Sequence, residues 1–128
     1  MGLNSLGTTS KRSWREIQNF CEYAVDLVRL IREWYGEYFC IAVAGHPEGH
    51  LLQKDSPQQE LVYLKEKVDA GADFILTQFF YDTTIFIDFV TRCRQVGITC
   101  PIIPGIMPIP NYSNFKLMTE VFYCSTLH

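Results

Sequence analysis

The chain has 128 residues, 48% of them hydrophobic and 14% aromatic, which suits one domain of ordinary size and excludes wholesale disorder. Eleven basic against fourteen acidic residues give a net charge of −3, without the basic surplus of a nucleic-acid binder. The longest uncharged apolar runs, at 39–45 and 100–110, are far shorter than the roughly 20 residues that cross a membrane.

The five cysteines are odd in number, widely spaced and without a C-x-x-C pair. This usage indicates reduced thiols rather than a disulfide framework. No apolar segment follows a basic start, so no secretory signal is expected. Together these features predict a cytoplasmic protein.

Composition divides the chain into a loose N-terminal segment at 1–13, a folded part at 14–122 and a tail at 123–128. The first predicted helix runs from Trp14 to Tyr35, because apolar residues recur there at three- and four-residue steps. A continuous apolar run at 39–45 follows. Continuous hydrophobicity is typical of a strand covered on both faces, as in a parallel sheet.

The second helix carries a clear start signal. Ser56 is a suitable N-cap, Pro57 suits the first helical position and Gln59 completes a capping box. Gly71 is the expected end of this helix.

The same order of strand and helix then recurs. The remaining predicted elements are a strand at 74–80, a helix at 83–96 capped by Asp82, a strand at 101–106 and a helix at 113–122. Strands that alternate with helices predict a parallel sheet of the α/β class. Three strands cannot close a barrel, so the order leaves two alternatives: a small open sheet or part of a (β/α)8 barrel.

Polar residues follow the predicted strands, where parallel α/β folds place their ligands. His46 and His50 flank Glu48 in the first such loop, but no third metal ligand accompanies them and no metal site is predicted. Solvated loop histidines or a site for an organic ligand remain as alternatives. Gln78 ends the second strand with an amide that offers both donors and acceptors.

Two lysines on the second helix, Lys65 and Lys67, are interpreted first as a solvated face. A phosphate contact requires one of them to turn towards the strand ends. No glycine-rich phosphate motif and no nucleophile motif occurs in the sequence.

Four ordered segments resemble a known family. They are YAVDLV at 23–28, VAGHPEGH at 43–50, LKEKVDAGADFILTQFF at 64–80 and GITCPIIPGIMPI at 97–109. Over roughly residues 19–119 the chain resembles methylenetetrahydrofolate reductases of the eukaryotic type. The resemblance implies a central part of a (β/α)8 TIM barrel, with about three strands and four helices and the barrel incomplete.

The resemblance also implies the chemistry. Members of the family are flavoproteins that reduce 5,10-methylenetetrahydrofolate to 5-methyltetrahydrofolate in one-carbon and methionine metabolism. NAD(P)H is the hydride donor and FAD the carrier. The expected partners are the folate substrate and a full-length reductase or further copies of the chain, with no nucleic acid and no membrane.

Individual roles follow from the resemblance, residue by residue. The implied cofactor-binding residues are His46, His50, Leu51, Leu52, Gln53, Glu60 and Lys67. Lys67 matches a lysine that meets the FAD phosphates, and Glu60 replaces an aspartate near the ribityl–adenosine part. Gln78 and Met118 match substrate-binding positions. The sequence departs from the family at His46, where a tyrosine is usual.

The catalytic glutamate of the family has no counterpart before Trp14. No catalytic residue is therefore assigned, and the 128 residues are expected to be inactive by themselves. The alternatives are a non-catalytic truncated fragment and a small binding module that uses His46 and His50.

Overall fold

The computed structural model describes residues 19–50 and 55–122. Within them the elements are α1 (Ala24–Tyr35), β1 (Ala42–Gly45), α2 (Pro57–Asp69), β2 (Phe74–Thr77), α3 (Thr83–Gln95), β3 (Ile102–Ile103) and α4 (Tyr112–Phe122). The predicted alternation of helices and strands is confirmed. None of the helices in these ranges is both long and apolar enough to cross a bilayer.

The three strands form one parallel sheet in the order β1-β2-β3. Val43 lies opposite Ile75, which in turn lies opposite Ile102. Strand order therefore follows chain order, as in successive βα units of a barrel. The sheet is open within the described residues, which confirms the prediction of a partial (β/α)8 fold.

Local capping explains where the helices begin. Ser56 Oγ accepts a hydrogen bond from the Gln59 amide at 3.2 Å, and Asp82 caps α3 as predicted. The predicted first helix is interrupted, because Tyr23 is the N-cap of α1 and donates its N–H to the Asp26 carboxylate at 2.9 Å. Trp14 lies outside the described residues.

The strands are shorter than the apolar runs that predicted them. β3 has two residues, because Pro101 and Pro104 flank it and proline has no N–H for the ladder. Beyond β3, the Gly105 amide donates to Thr77 Oγ1 at 3.0 Å. This bond holds the chain against β2 after regular pairing has ended.

The core lies between the sheet and the helices on one of its faces. Its fully buried members are Ile75, Cys93 and Ile98. On the opposite face Leu76 and Ile103 are 47% and 44% exposed. In β1, Ala42 and Ala44 are exposed on the same face, so the prediction that the first strand is covered on both faces is wrong for the described residues. In a closed barrel this inner face is filled by layers of side chains from other strands.

Arg32 ties together the amino end of the sheet. Its guanidinium donates to the Gly71 carbonyl at 2.9 and 2.6 Å. It also donates to the carbonyls of Gly36 and Phe39, at 3.0 and 2.7 Å, and to the Asp73 carboxylate at 2.8 Å. One side chain thus joins α1, the entry to β1 and the α2–β2 connection.

Asp73 completes this arrangement by accepting the Ile41 amide at 2.6 Å. That backbone hydrogen bond, with Arg32 as a further cause, lowers the pKa of Asp73. Arg94 repeats the device two βα units later, because it donates to the carbonyls of Ile98 and Cys100 at 2.7 and 2.9 Å. The connections that enter β1 and β3 are therefore both fixed by an arginine.

Candidate functional site

A cleft of about 1640 Å³ opens at the carboxyl end of β1. It exceeds the roughly 300–1,000 Å³ usual for small-molecule sites. Four of the predicted cofactor residues line it: His46, His50, Glu60 and Lys67. The other three, Leu51, Leu52 and Gln53, lie outside the described residues.

A tight turn brings the two histidines together. The Gly49 amide donates to the His46 carbonyl at 3.1 Å, and Gly49 has a φ of 91°, which favours glycine. The imidazole rings of His46 and His50 lie 4.6 Å apart at 73°. The loop thus presents a pair of edge-to-face rings to the cleft.

Glu60 connects helix α2 to this loop. It lies in the first turn of α2 and is half-buried. Its Oε1 accepts the His50 amide at 2.9 Å. The carboxylate is therefore oriented by the loop backbone, and it lies where a helix N-terminus favours negative charge.

Lys67 turns towards the strand end. Its Nζ donates to the Ala44 carbonyl at 3.2 Å. The carbonyls of Ile41 and Gly45 face β2, so the Ala44 carbonyl between them faces the outer edge of β1. Lys65 behaves differently, because it pairs with Asp69 on the helix surface. Only Lys67 of the two predicted lysines therefore reaches the cleft.

Burial sets the electrostatics of the cleft. It lowers the pKa of His46 from 6.5 to about 4, with His50 and Lys67 as further causes. Burial also lowers the pKa of Lys67, while the nearby charge of Glu60 raises it. At neutral pH the His46 imidazole is uncharged, and Lys67 is the cation next to it.

Among the described residues no three His, Cys, Asp or Glu side chains are grouped so that they could hold a metal ion. The donor set around His46 and His50 suits hydrogen bonding and ring contacts with an organic ligand.

The two predicted folate residues lie apart from the flavin candidates. Gln78 is exposed, and its backbone N–H donates to the Gly45 carbonyl at 2.8 Å. Met118 lies half-buried on α4. Neither lines the cleft. Gln78 nevertheless follows β2 directly, one strand away from His46.

Aromatic contacts fix α4 at this end of the sheet. The rings of Phe79 and Phe122 lie 5.1 Å apart, and those of Tyr81 and Phe115 lie 4.9 Å apart. The helix that carries Met118 is thereby packed on the connection that leaves β2.

Sequence reasoning missed part of the cleft wall. The N-cap Tyr23 lines it, with Asp26 and Arg29 from α1 and Asp88 and Arg92 from α3. Each helix contributes an acid–arginine pair, three residues apart on α1 and four apart on α3. The spacing of these pairs was a visible signal, but it does not say which face of the helix borders a cleft.

Comparison with known proteins places the chain in a family. A model of methylenetetrahydrofolate reductase matches residues 6–126. The chain is 56% identical over 111 residues to methylenetetrahydrofolate reductase (NADH) 1 of Arabidopsis thaliana. This alignment covers 80% of the chain and 18% of the Arabidopsis protein. The chain is 51% identical over 98 residues to a probable methylenetetrahydrofolate reductase (NADPH) of Caenorhabditis elegans, covering 77% and 15%.

A fungal relative shows a similar identity and coverage. Methylenetetrahydrofolate reductase 2 of Schizosaccharomyces pombe is 51% identical over 114 residues, covering 81% of this chain and 18% of that protein. The chain therefore spans less than a fifth of the length of these relatives.

Proposed function

The chain belongs to the methylenetetrahydrofolate reductase family of the eukaryotic type, and from this premise we propose that it supplies part of the flavin site of such an enzyme. The reaction is the reduction of 5,10-methylenetetrahydrofolate to 5-methyltetrahydrofolate by NAD(P)H through FAD. The observation that carries the proposal is the meeting of His46, His50, Glu60 and Lys67 in one cleft.

The donor set of the cleft fits a dinucleotide with a diphosphate. An ammonium group has three N–H donors, and the contact with the Ala44 carbonyl uses one of those on Lys67. Within the described residues, two donors are thus left for phosphate oxygens. Because Lys67 is partly desolvated, its attraction to a phosphate is screened less than that of a surface lysine.

The remaining groups suit the uncharged parts of the same ligand. The neutral His46 imidazole offers a ring face and one nitrogen donor. The Glu60 carboxylate has acceptor capacity beyond its bond to the His50 amide, which suits hydroxyl groups of a ribityl or ribose moiety. The cleft therefore contains one cation for phosphate and acceptors for hydroxyls.

Bound FAD would carry hydride between NAD(P)H and the folate. The residues of this chain bind and orient. We assign Gln78 to the mixed donor and acceptor edge of the folate pterin, because its amide has both kinds of group and its side chain is exposed. Met118 supplies an apolar contact from α4. No catalytic residue is assigned within the chain.

The uncovered face of the sheet supports a partner in the same proposal. Leu76 and Ile103 expose apolar surface there, next to Ala42 and Ala44, which are also exposed. We assign this face to packing against the complementary part of a full-length reductase barrel in the cytoplasm. Further copies of this chain are the alternative occupant, and sedimentation of the chain with and without the reductase distinguishes them.

The direct test is the visible absorbance of the chain after incubation with FAD and desalting. We expect the flavin bands to remain with the wild-type chain and to be lost in Lys67→Ala. Lys65→Ala is the matched control, because Lys65 lies on the same helix and pairs with Asp69 instead. A wild-type chain that retains no flavin, or two variants that behave alike, would refute the proposal.

A further inference from the structure

We propose that Glu60 is a positioning residue: it holds the 46–50 loop in the conformation that forms the cleft, rather than acting only as a ligand contact. The functional part of this inference, that the loop must be held in place for flavin to bind, rests on the proposed flavin site. Its structural content, the attachment of the loop to helix α2, is independent of any cofactor.

The attachment that links the loop to helix α2 is a charge-assisted hydrogen bond across a chain connection. Glu60 Oε1 accepts the His50 amide at 2.9 Å, ten residues away along the sequence. The acceptor is fixed, because Glu60 lies in the first turn of α2 and the start of that helix is set by Ser56 and Pro57. Hydrogen bonds with an ionised partner are about twice as strong as neutral ones.

Gly49 of the loop lies beside the same carboxylate. A Cβ atom at Gly49 would lie 3.6 and 3.8 Å from the two Glu60 carboxylate oxygens. Gly49 also has a positive φ and closes the turn to the His46 carbonyl. The loop therefore borders Glu60 at two successive residues, by ordinary contact distance at Gly49 and by a hydrogen bond at His50.

The same carboxylate acts on the lysine. Glu60 raises the pKa of Lys67 against the effect of burial. One side chain thus orients the loop that carries His50 and favours the charged form of the ammonium group. The hydrogen bond to the loop, together with this electrostatic effect on Lys67, distinguishes Glu60 from a residue that meets a ligand only from the wall of the cleft.

Substitutions that change the length or the charge of the Glu60 side chain distinguish its bond to the loop from its effect on Lys67. Aspartate is one C–C bond, about 1.5 Å, shorter than glutamate, so Glu60→Asp should lose the bond to the His50 amide. Glutamine has the length and an acceptor oxygen, so Glu60→Gln should keep the bond and lose only the charge. Glu60→Ala loses both.

The test is amide hydrogen exchange at His50, measured by NMR on the full 128-residue chain without cofactor. We expect exchange about tenfold faster in Glu60→Ala and Glu60→Asp, and near the wild-type rate in Glu60→Gln. Glu33→Gln, an exposed glutamate on α1, is the control. If Glu60→Ala does not fold, the exchange rates of the Glu60→Asp and Glu60→Gln variants are compared instead.

The result separates the two proposals. Exchange at His50 that is unchanged in Glu60→Asp, or equally fast in Glu60→Gln, overturns the positioning role. FAD binding is then measured on the same variants. Weaker binding in Glu60→Asp, with rescue in Glu60→Gln, supports loop positioning. A wild-type chain that binds no FAD refutes the flavin site alone, because the exchange measurement uses no flavin.

Discussion

The two ends of the sheet use charged residues in opposite ways. At the amino end, Arg32 makes hydrogen bonds to three carbonyls and one carboxylate, and the Asp73 carboxylate also accepts a backbone amide. At the carboxyl end, Lys67 is desolvated and bonded to one carbonyl. The first end satisfies its charges internally, whereas the second keeps hydrogen-bonding capacity available.

This difference separates stability from binding. A charge that has several fixed partners contributes to the free energy of folding, and the amino face of a βα array is where such contacts are expected. A charge that is desolvated with few partners costs folding free energy. Such groups are typical of sites where a ligand supplies the missing interaction. Substitutions at the two ends should therefore have different consequences.

The largest expected effect on stability comes from Arg32→Ala. It removes five hydrogen bonds that join three elements, and we expect the free energy of unfolding to fall by about 3 kcal/mol. Urea denaturation measures the loss. Arg29→Ala is the control, because Arg29 is exposed and makes one ion pair at 3.6 Å, worth less than about 1 kcal/mol. Equal losses in both variants would contradict the role of Arg32.

A steric change at the carboxyl end should be next in size. A Cβ atom at Gly105 would lie 2.2 Å from the Thr77 carbonyl oxygen, so Gly105→Ala must push the chain away from β2. We expect a loss of about 2 kcal/mol, measured by thermal unfolding. Thr77→Val removes only the hydroxyl that accepts the Gly105 amide and should cost about 1 kcal/mol. The reverse order would show that the hydrogen bond, not the close approach, dominates.

A third effect on stability depends on pH and on His46. Its pKa is about 4 in the folded chain against 6.5 as the ordinary value. Between these two pH values the His46 side chain binds more protons in the unfolded chain than in the folded chain, so the free energy of unfolding rises with pH. The stabilisation is complete above pH 6.5 and is lost as the pH falls towards 4. Allowing for solvent screening, it amounts to about 1–2 kcal/mol.

The variant His46→Gln isolates this contribution. Glutamine does not titrate, so the slope of unfolding free energy against pH between 4 and 6.5 should become shallower than in the wild-type chain. Chemical denaturation at half-unit pH intervals measures the slope. A variant with the wild-type slope would show that His46 titrates alike in the folded and unfolded chain.

Local signals in the sequence were reliable, and signals that depend on distant contacts were not. Ser56 and Asp82 were identified as caps because a cap involves residues two or three positions apart. The Arg32–Asp73 pair joins residues 41 positions apart and has no local signature. The sequence also could not separate Lys65 from Lys67, because the rotation of α2 against β1 decides which of them reaches a strand end.

The boundaries show the same limit. The apolar period predicted one helix from Trp14, but the Tyr23–Asp26 cap starts α1 at Ala24. Phe20 and Tyr23 are 55% and 60% exposed, so the apolar stripe is not buried at this point. β3 stops after two residues because Pro104 follows it, although the apolar run continues to 106. The predicted roles of Gln78 and Met118 stay predictions.

The most direct test of the contrast between the two ends is a pair of measurements on Lys67→Ala: FAD affinity by fluorescence titration and unfolding free energy by urea denaturation. The contrast predicts at least about tenfold weaker FAD binding and a change in unfolding free energy within about 0.5 kcal/mol. Unchanged FAD affinity, or a loss of stability as large as that of Arg32→Ala, would contradict the separation of stability from binding.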